Sequence, residues 1–317
     1  MRGGAVILGN VADPHRLDGS TALVTGATGG LGLQVATVRA ERGARVLIGS
    51  RNPERGASAL ARVERGATGE APELVTLDLA SLKSVATAVA DIQTRAGNRL
   101  DLLVNNGGIM APPLSFSVDG FELQWATNVL GPAALTWQLI PAIENAEGNP
   151  RVVWVSSTRH ASASLDETQL RSDVRGENYR GFDFYGRTKL ADLLLSRELN
   201  KHFTRVGSRA ISVAAHPGFT ATGIVENGFA DLPRPIRPIA NWGARTFGQR
   251  VEAGALPILY AAAASGVAGD DYFGPRSLGG LRGKPGPSKR SAASLSDETG
   301  AMLVKVVSEL IGISAPQ

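Results

Sequence analysis

The sequence predicts an α/β fold in which a parallel sheet of about seven strands is doubly wound, with helices covering both faces. Three observations predict it. Short runs of β-branched residues and leucine, "TALVT", "ARVLIG", "ELVTL", "LDLLVNN", "RVVWVSS" and "RAISVAA", alternate with longer stretches of helical period. These runs show no polar face, as burial on both sides of a sheet demands. Each run also ends in glycine or polar residues, and open α/β sheets hold their ligands beyond the carboxyl ends of the strands. No break divides the 317 residues. A single domain is expected over 1–317, with its core at about 17–275, a substrate lid at about 219–249 and a C-terminal extension at about 276–317.

The first run leads into "TGATGGLG", which places four glycines in eight residues ahead of a helical stretch. A strand that enters a helix through such a turn presents unpaired backbone N–H groups at the positive end of the helix dipole, where phosphate binds readily. Gly26, Thr28, Gly29, Gly30, Leu31 and Gly32 are the candidate contacts. Their spacing is not the usual G-x-G-x-x-G, and an ordinary turn can also be rich in glycine, so the other strand ends decide. The second run ends in Ser50, Arg51 and Asn52, where an NAD-preferring protein usually carries an acid for the ribose 2′-hydroxyl. A guanidinium suits a 2′-phosphate, because it can bond two phosphate oxygens at once, so NADP(H) is expected over NAD(H). The third run ends in Asp78 and Leu79; Asp78 can accept from an adenine amino group, or lead with Ser81 into the next helix as a cap. The fourth ends in Asn105, Asn106, Gly107 and Gly108, a turn that lets backbone approach the edge of a nucleotide. The fifth ends in Ser156 and Ser157. The sixth ends in "HPGFT", where Pro217, Gly218 and Thr220 are candidate cofactor contacts.

Composition removes several classes. An apolar fraction of 43% supports a substantial core. Without cysteine there is no disulfide frame, thiolate nucleophile or cysteine-ligated metal, and His15, His160, His202 and His216 show no paired spacing, so no metal site is expected. No stretch approaches the roughly 20 apolar residues that span a bilayer. The opening "MRGGAVILGNVADPH" has too short an apolar part for a secretory signal, and a cytoplasmic protein without an integral membrane segment is expected. A net charge of +4, with arginines set beside acids, does not make a nucleic-acid surface. The densest basic stretch, "RGKPGPSKR" from Arg282 to Arg290, lacks interleaved aromatics and reads as a solvated loop.

The residues for chemistry lie later in the chain. Tyr185 and Lys189 stand four apart in "YGRTK", at the start of a helix with leucines at 190, 193, 194 and 195. That spacing puts both side chains on one helix face. A tyrosine used as a base near neutrality must be brought down from about 10, a change of roughly 4 kcal/mol, and a lysine ammonium within about 4–6 Å supplies part of it. Ser157 can bond a carbonyl oxygen and polarise it. Asn128, inside the apolar "WATNVLGPAAL", must satisfy itself on backbone or join a polar network, since a buried unpaired amide costs about 1–3 kcal/mol.

Taken together, "TGATGGLG", Asp78, "NNGG", Asn128, "VVWVSS", "YGRTK" and "HPGFTAT", in this order and spacing, resemble the short-chain dehydrogenases and reductases from about Leu17 to Tyr260. Within them the sequence is similar to the retinol dehydrogenase and protochlorophyllide reductase branch. The resemblance implies a Rossmann fold, a nicotinamide dinucleotide over the glycine turn, and Tyr185 as proton donor or acceptor. It implies that Lys189 holds the nicotinamide ribose and makes the tyrosine more acidic, that Ser157 orients a carbonyl, and that Asn128 holds a water extending the proton path. Two departures stand out. Gly107 occupies a position where the family usually has alanine, and the amino-terminal anchor of many retinol dehydrogenases is not visible. The expected activity is hydride transfer between NADP(H) and an apolar alcohol, aldehyde or ketone. Alternatives are reduction of a carbon–carbon double bond with the same tyrosine and lysine, and a nucleotide-sensing or scaffold protein without turnover, which the complete Asn128, Ser157, Tyr185 and Lys189 set disfavours. A homo-oligomer is compatible with each. The segment from Phe219 to Gln249 combines apolar residues, Trp242 among them, with three prolines, and is expected to be a lid over a bulky apolar substrate.

Overall fold

Strands β1 (Thr21–Thr25), β2 (Arg45–Ser50), β3 (Glu73–Thr76), β4 (Leu102–Asn105), β5 (Arg151–Val155) and β6 (Ile211–Ala215) are the six runs read from the sequence, and β7 (Tyr272–Ser277) adds a seventh parallel strand. The computed structural model describes residues 16–220 and 249–316. With β8 (Arg282–Pro287) the strands of the sheet run β3-β2-β1-β4-β5-β6-β7-β8, so the chain starts centrally, winds out to β3 and returns past β1 to β4. The switch of direction falls between β1 and β4, the crevice in which such sheets bind ligands.

Successive side chains of the central strands enter opposite cores, which is why those runs are apolar throughout, while the edge strand β3 is only partly buried. Leu23, Leu47 and Leu103 face one side with α3 (Leu82–Ala96), α4 (Gly131–Glu144), α5 (Glu167–Val174), α6 (Gly181–Arg205) and α8 (Asp297–Ile311). Ala22, Val24, Val46 and Ile48 face the other, with α1 (Gly30–Glu41), α2 (Pro53–Glu64) and α7 (Val251–Ala263). Local chemistry sets the helix starts: Asn52 caps α2 by accepting the Arg55 N–H, and Ser81 caps α3 by accepting the Ser84 N–H.

One expectation is corrected. The stretch read as a solvated loop contains β8 (Arg282–Pro287), paired antiparallel to β7 with Gly274 opposite Gly286 and Pro275 opposite Pro285. Among the described residues it is the edge strand, where proline is tolerated because one side of the ladder is left unpaired. Residues beyond 275 therefore extend the sheet, and they also supply Leu303, Val306 and Val307 of α8 to the core beside α6. Most of the expected lid, residues 221–248 with Trp242, lies outside the described residues, as do residues 1–15. Among the described residues no helix is long and apolar enough to cross a membrane.

Candidate active site

At the switch point a buried threonine ties two turns together. Thr25 Oγ1 donates to Val104 O (3.2 Å) and accepts the backbone N–H groups of Asn106 (3.0 Å) and Gly107 (2.9 Å), while Asn106 Nδ2 donates back to Thr25 O (2.9 Å). The glycine turn after β1 thus lies directly against the turn after β4. Gly26 adopts φ +64°, and a Cβ there would stand 2.7 Å from the Gly107 Cα. A Cβ on Gly32 would collide with the Asn106 amide and lie 2.7 Å from Gly26 O. Around Gly29, by contrast, a Cβ would meet nothing nearer than the Arg55 guanidinium at 3.8 Å, and α1 begins there without a side-chain cap. An uncapped helix start beside open space is what an anion needs.

A groove of about 320 Å³ runs from this turn. Gly26, Thr28, Gly29, Gly30 and Leu31 line one part, Ser50, Arg51 and Asn52 the far end, and Asp78, Leu79, Asn106 and Gly107 the side. Ser50 Oγ donates to Asn52 O (2.9 Å), shaping the turn that presents Arg51 and Arg55. Asp78 accepts the Ala80 N–H (3.0 Å) and lines the groove, so its turn-forming and groove-facing readings coexist. Three candidates, Gly32, Asn105 and the buried Asn128, line neither this groove nor the cleft that continues it. Gly32 is packed beneath the turn, and Asn105 points into the core, donating to Thr136 Oγ1 (2.9 Å) with its Oδ1 unpartnered. Gly107 also has a local reason: a Cβ there would stand 2.7 Å from Leu79 Cδ1, so alanine would require Leu79 to move.

Through Leu31, Asn106, Gly108 and Ile109 the groove continues into a second cleft. Ser157, Tyr185, Lys189, Pro217, Gly218 and Thr220 all line it, and Met110, Phe182, Phe219 and Leu281 make its wall apolar. Ser157 follows β5, while Tyr185 and Lys189 share a face of α6 with Nζ 5.7 Å from the tyrosine ring centroid. Lys189 is buried, and its Nζ donates to Val155 O (3.0 Å) and to the buried Asp192 (2.8 Å). An ammonium has three donors, so one remains for a ligand in the cleft. Burial disfavours the charge, but Asp192 and Tyr185 more than offset it and hold Lys189 above its ordinary value. Burial pushes Asp192 up to about 6 against the pull of Lys189. For the chemistry the lysine's direction decides: it stays charged.

Asn128 sits in a π-helical turn (Ala126–Leu130), a departure from α geometry common at functional sites. Its Oδ1 accepts the Ile109 N–H (2.8 Å), and its Nδ2 donates to Ile109 O (2.9 Å) and Thr188 Oγ1 (3.1 Å). It clips the loop after β4 to α6, leaving one Oδ1 lone pair for further bonding. Sequence reasoning missed Thr25, Arg55, Thr188, Asp192 and Leu281. For Asp192 a signal exists: an acid three residues after Lys189 on a leucine-rich face.

Residues 20–165 match the family model described as short chain dehydrogenase. Retinol dehydrogenase 14 of Mus musculus is 32% identical over 274 residues, 83% of this chain and 79% of that protein. The polyprenol dehydrogenase of Mus musculus is 33% identical over 255 residues, 79% of this chain and 73% of its own. Among solved structures, an uncharacterised protein from Mycobacterium paratuberculosis aligns with a TM-score of 0.77 at 31% identity, covering 96% of this chain and 98% of its own. RhlG of Pseudomonas aeruginosa, solved as an NADP active-site complex, aligns at 0.60 with 27% identity, covering 81% and 94%. Fold and site define an α/β oxidoreductase of the kind that works with a nicotinamide cofactor. The chain belongs to the short-chain dehydrogenase/reductase family, in its retinol dehydrogenase-like branch.

Proposed function

We propose that this protein is an NADP(H)-dependent oxidoreductase that transfers hydride between the nicotinamide and an apolar alcohol, aldehyde or ketone. One observation carries the reading: a continuous cleft has Arg51 and Arg55 at one end and Ser157, Tyr185 and Lys189 at the other. The open, uncapped glycine turn fits a pyrophosphate held by Gly26, Thr28, Gly29, Gly30 and Leu31. Arg51 and Arg55 would take the 2′-phosphate, and Asp78 and Leu79 the adenine edge. Asn106, Gly107 and the third Lys189 donor would take the ribose, and Pro217, Gly218 and Thr220 the nicotinamide end. When bound, the cofactor supplies or takes up the hydride.

The protein's own groups handle the oxygen and its proton. In reduction, the Ser157 hydroxyl donates to the carbonyl oxygen and Tyr185 passes it the phenolic proton; in oxidation, the phenolate receives it. Lys189, kept charged beside Asp192, sets a positive charge next to the Tyr185 ring. Asn128 holds Ile109, and with it the cleft wall. The names of the retinol and polyprenol dehydrogenases, both for apolar alcohols, support the substrate class, as does the wall of Met110, Phe182, Phe219 and Leu281. RhlG, solved with NADP, supports the cofactor. The test follows NADPH or NADP absorbance with alcohols and aldehydes of increasing chain length. The value of kcat/KM should rise by roughly 0.8 kcal/mol, about fourfold, for each methylene buried until the cleft is full. Equal rates on short polar and long apolar substrates, or a preference for NADH, would overturn the proposal.

A further inference from the structure

His216 is buried at the end of β6, and the reaction proposed above makes no use of its imidazole. Its Nδ1 accepts the Gly218 N–H (3.2 Å). The ring proton therefore sits on Nε2, which donates to Ser288 Oγ (2.9 Å), just past β8. The ring lies 5.2 Å from that of Tyr272, and it occupies the space where a Cβ on Gly274 of β7 would go. Burial, with His160 nearby, pushes it down to about 4. Among the described residues Tyr272 from β7 and His160 from the turn after β5 lie beside it, and Arg290 beyond β8 sits over the Tyr272 ring, itself engaged with Asp270 (2.7 Å). The imidazole is neutral in ordinary buffers, so it acts as one acceptor and one donor.

Each of those bonds ends on a different structure. Gly218 belongs to the loop from Pro217 to Thr220, which lines the reaction cleft. Ser288 ends the β7–β8 hairpin. The hairpin grips the same loop a second time at Leu281, whose carbonyl accepts the Phe219 N–H (3.0 Å) and whose side chain also lines the cleft. Gly218 adopts φ +69°, and a Cβ there would lie 2.5 Å from Leu281 O, so loop and hairpin are in backbone contact. We propose that His216 is a positioning residue, a neutral clip that fastens the Pro217–Thr220 wall to the β7–β8 hairpin. The hairpin thereby sets the cleft wall where the proposed nicotinamide end meets the apolar substrate side of Phe219 and Leu281, without carrying a catalytic group. This rests on reading the cleft as the reaction site.

The two bonds can be cut separately. A glutamine amide reaches the Nε2 position and an asparagine amide the Nδ1 position, so His216→Gln keeps Ser288 and loses Gly218, while His216→Asn does the reverse. Ser288→Ala is the milder cut of the second bond. Each variant should raise KM for an apolar substrate about fivefold, the scale of one lost hydrogen bond, with kcat within about threefold. The pH–rate profile should stay in place, because the residue transfers no proton. His216→Asn and Ser288→Ala should not add, since they cut the same bond. Backbone amide exchange at Gly218 and Phe219 should quicken in Ser288→Ala, a readout that needs no substrate. Unchanged KM and unchanged exchange in a folded Ser288→Ala protein, or lowered thermal stability alone, would overturn the clip. A shifted pH profile would overturn it in favour of a proton-transfer role. Wild-type protein inactive on every substrate would sink the proposed function, and the exchange measurement would still decide the clip.

Discussion

Glu122 offers a test in which the sign of a pH effect is set by burial. It has no exposed surface; one carboxylate oxygen accepts the Trp125 N–H (2.9 Å) and the other makes no hydrogen bond within geometric limits among the described residues. Burial pushes it from 4.5 up to about 7, opposed by the backbone N–H groups of Gln124 and Trp125 and assisted by Asp173. Above pH 7 both folded and unfolded chains carry the charge, and the folded one bears the cost of burying it. As pH falls from 7 towards 4.5 the folded protein takes the proton first, so this group adds stability on acidification, by about 3 kcal/mol in full. His216 works the other way. Held down near 4, it lets the unfolded chain take a proton first below 6.5, and a comparable amount is lost between 6.5 and 4. In the wild type these two contributions largely cancel. Glu122→Gln removes one of them and adds only a pH-independent offset. Urea denaturation at about pH 8 and about pH 4.5 should show the variant-minus-wild-type stability falling by about 3 kcal/mol from the first to the second. Parallel curves for the two proteins would refute the reasoning.

Tyr185→Phe removes one oxygen and keeps the ring, so turnover should be nearly abolished while NADPH affinity, read by fluorescence titration, changes little; equal loss of both would contradict a proton-transfer role. Arg51→Asp removes the partner proposed for the 2′-phosphate and adds a like charge, and the NADPH/NADH ratio of kcat/KM should fall at least tenfold, about 1.4 kcal/mol. Asp192→Ala leaves the Lys189 ammonium buried beside the Val155 carbonyl alone, so chemical denaturation near neutrality should show a loss of about 3–5 kcal/mol, and stability equal to wild type would show that the pair contributes nothing.

The fold was readable because its dominant signals are local. An apolar strand, a glycine turn and a helix follow one another within a few tens of residues, and six of the seven parallel strands were marked by short apolar runs, five of them central and buried on both sides. The eighth strand was not readable, since "RGKPGP" has no alternation and its pairing depends on β7 offering an edge. Side-chain direction was the next thing to escape. Asn105 and Asn106 look alike in the sequence, but the pleat sends Asn105 towards Thr136 in the core and leaves Asn106 at the groove.

The site divides along the same line. Tyr185, Lys189 and Asp192 lie within eight residues on one helix, so their proximity follows from helical spacing, and Asp192 could have been found by asking what balances a lysine among leucines. Thr25 and Asn106 are 81 residues apart, and His216 and Ser288 are 72 apart. Hydrogen bonds across such separations exist only because the sheet order brings strand ends together, and no local pattern marks their members. The groups proposed to carry the chemistry are therefore visible in the sequence, while the residues that hold the cleft in shape appear only with the topology. For this reason changes in the β7–β8 hairpin, far in the chain from Ser157 and Tyr185, should act on substrate binding before they act on the chemical step.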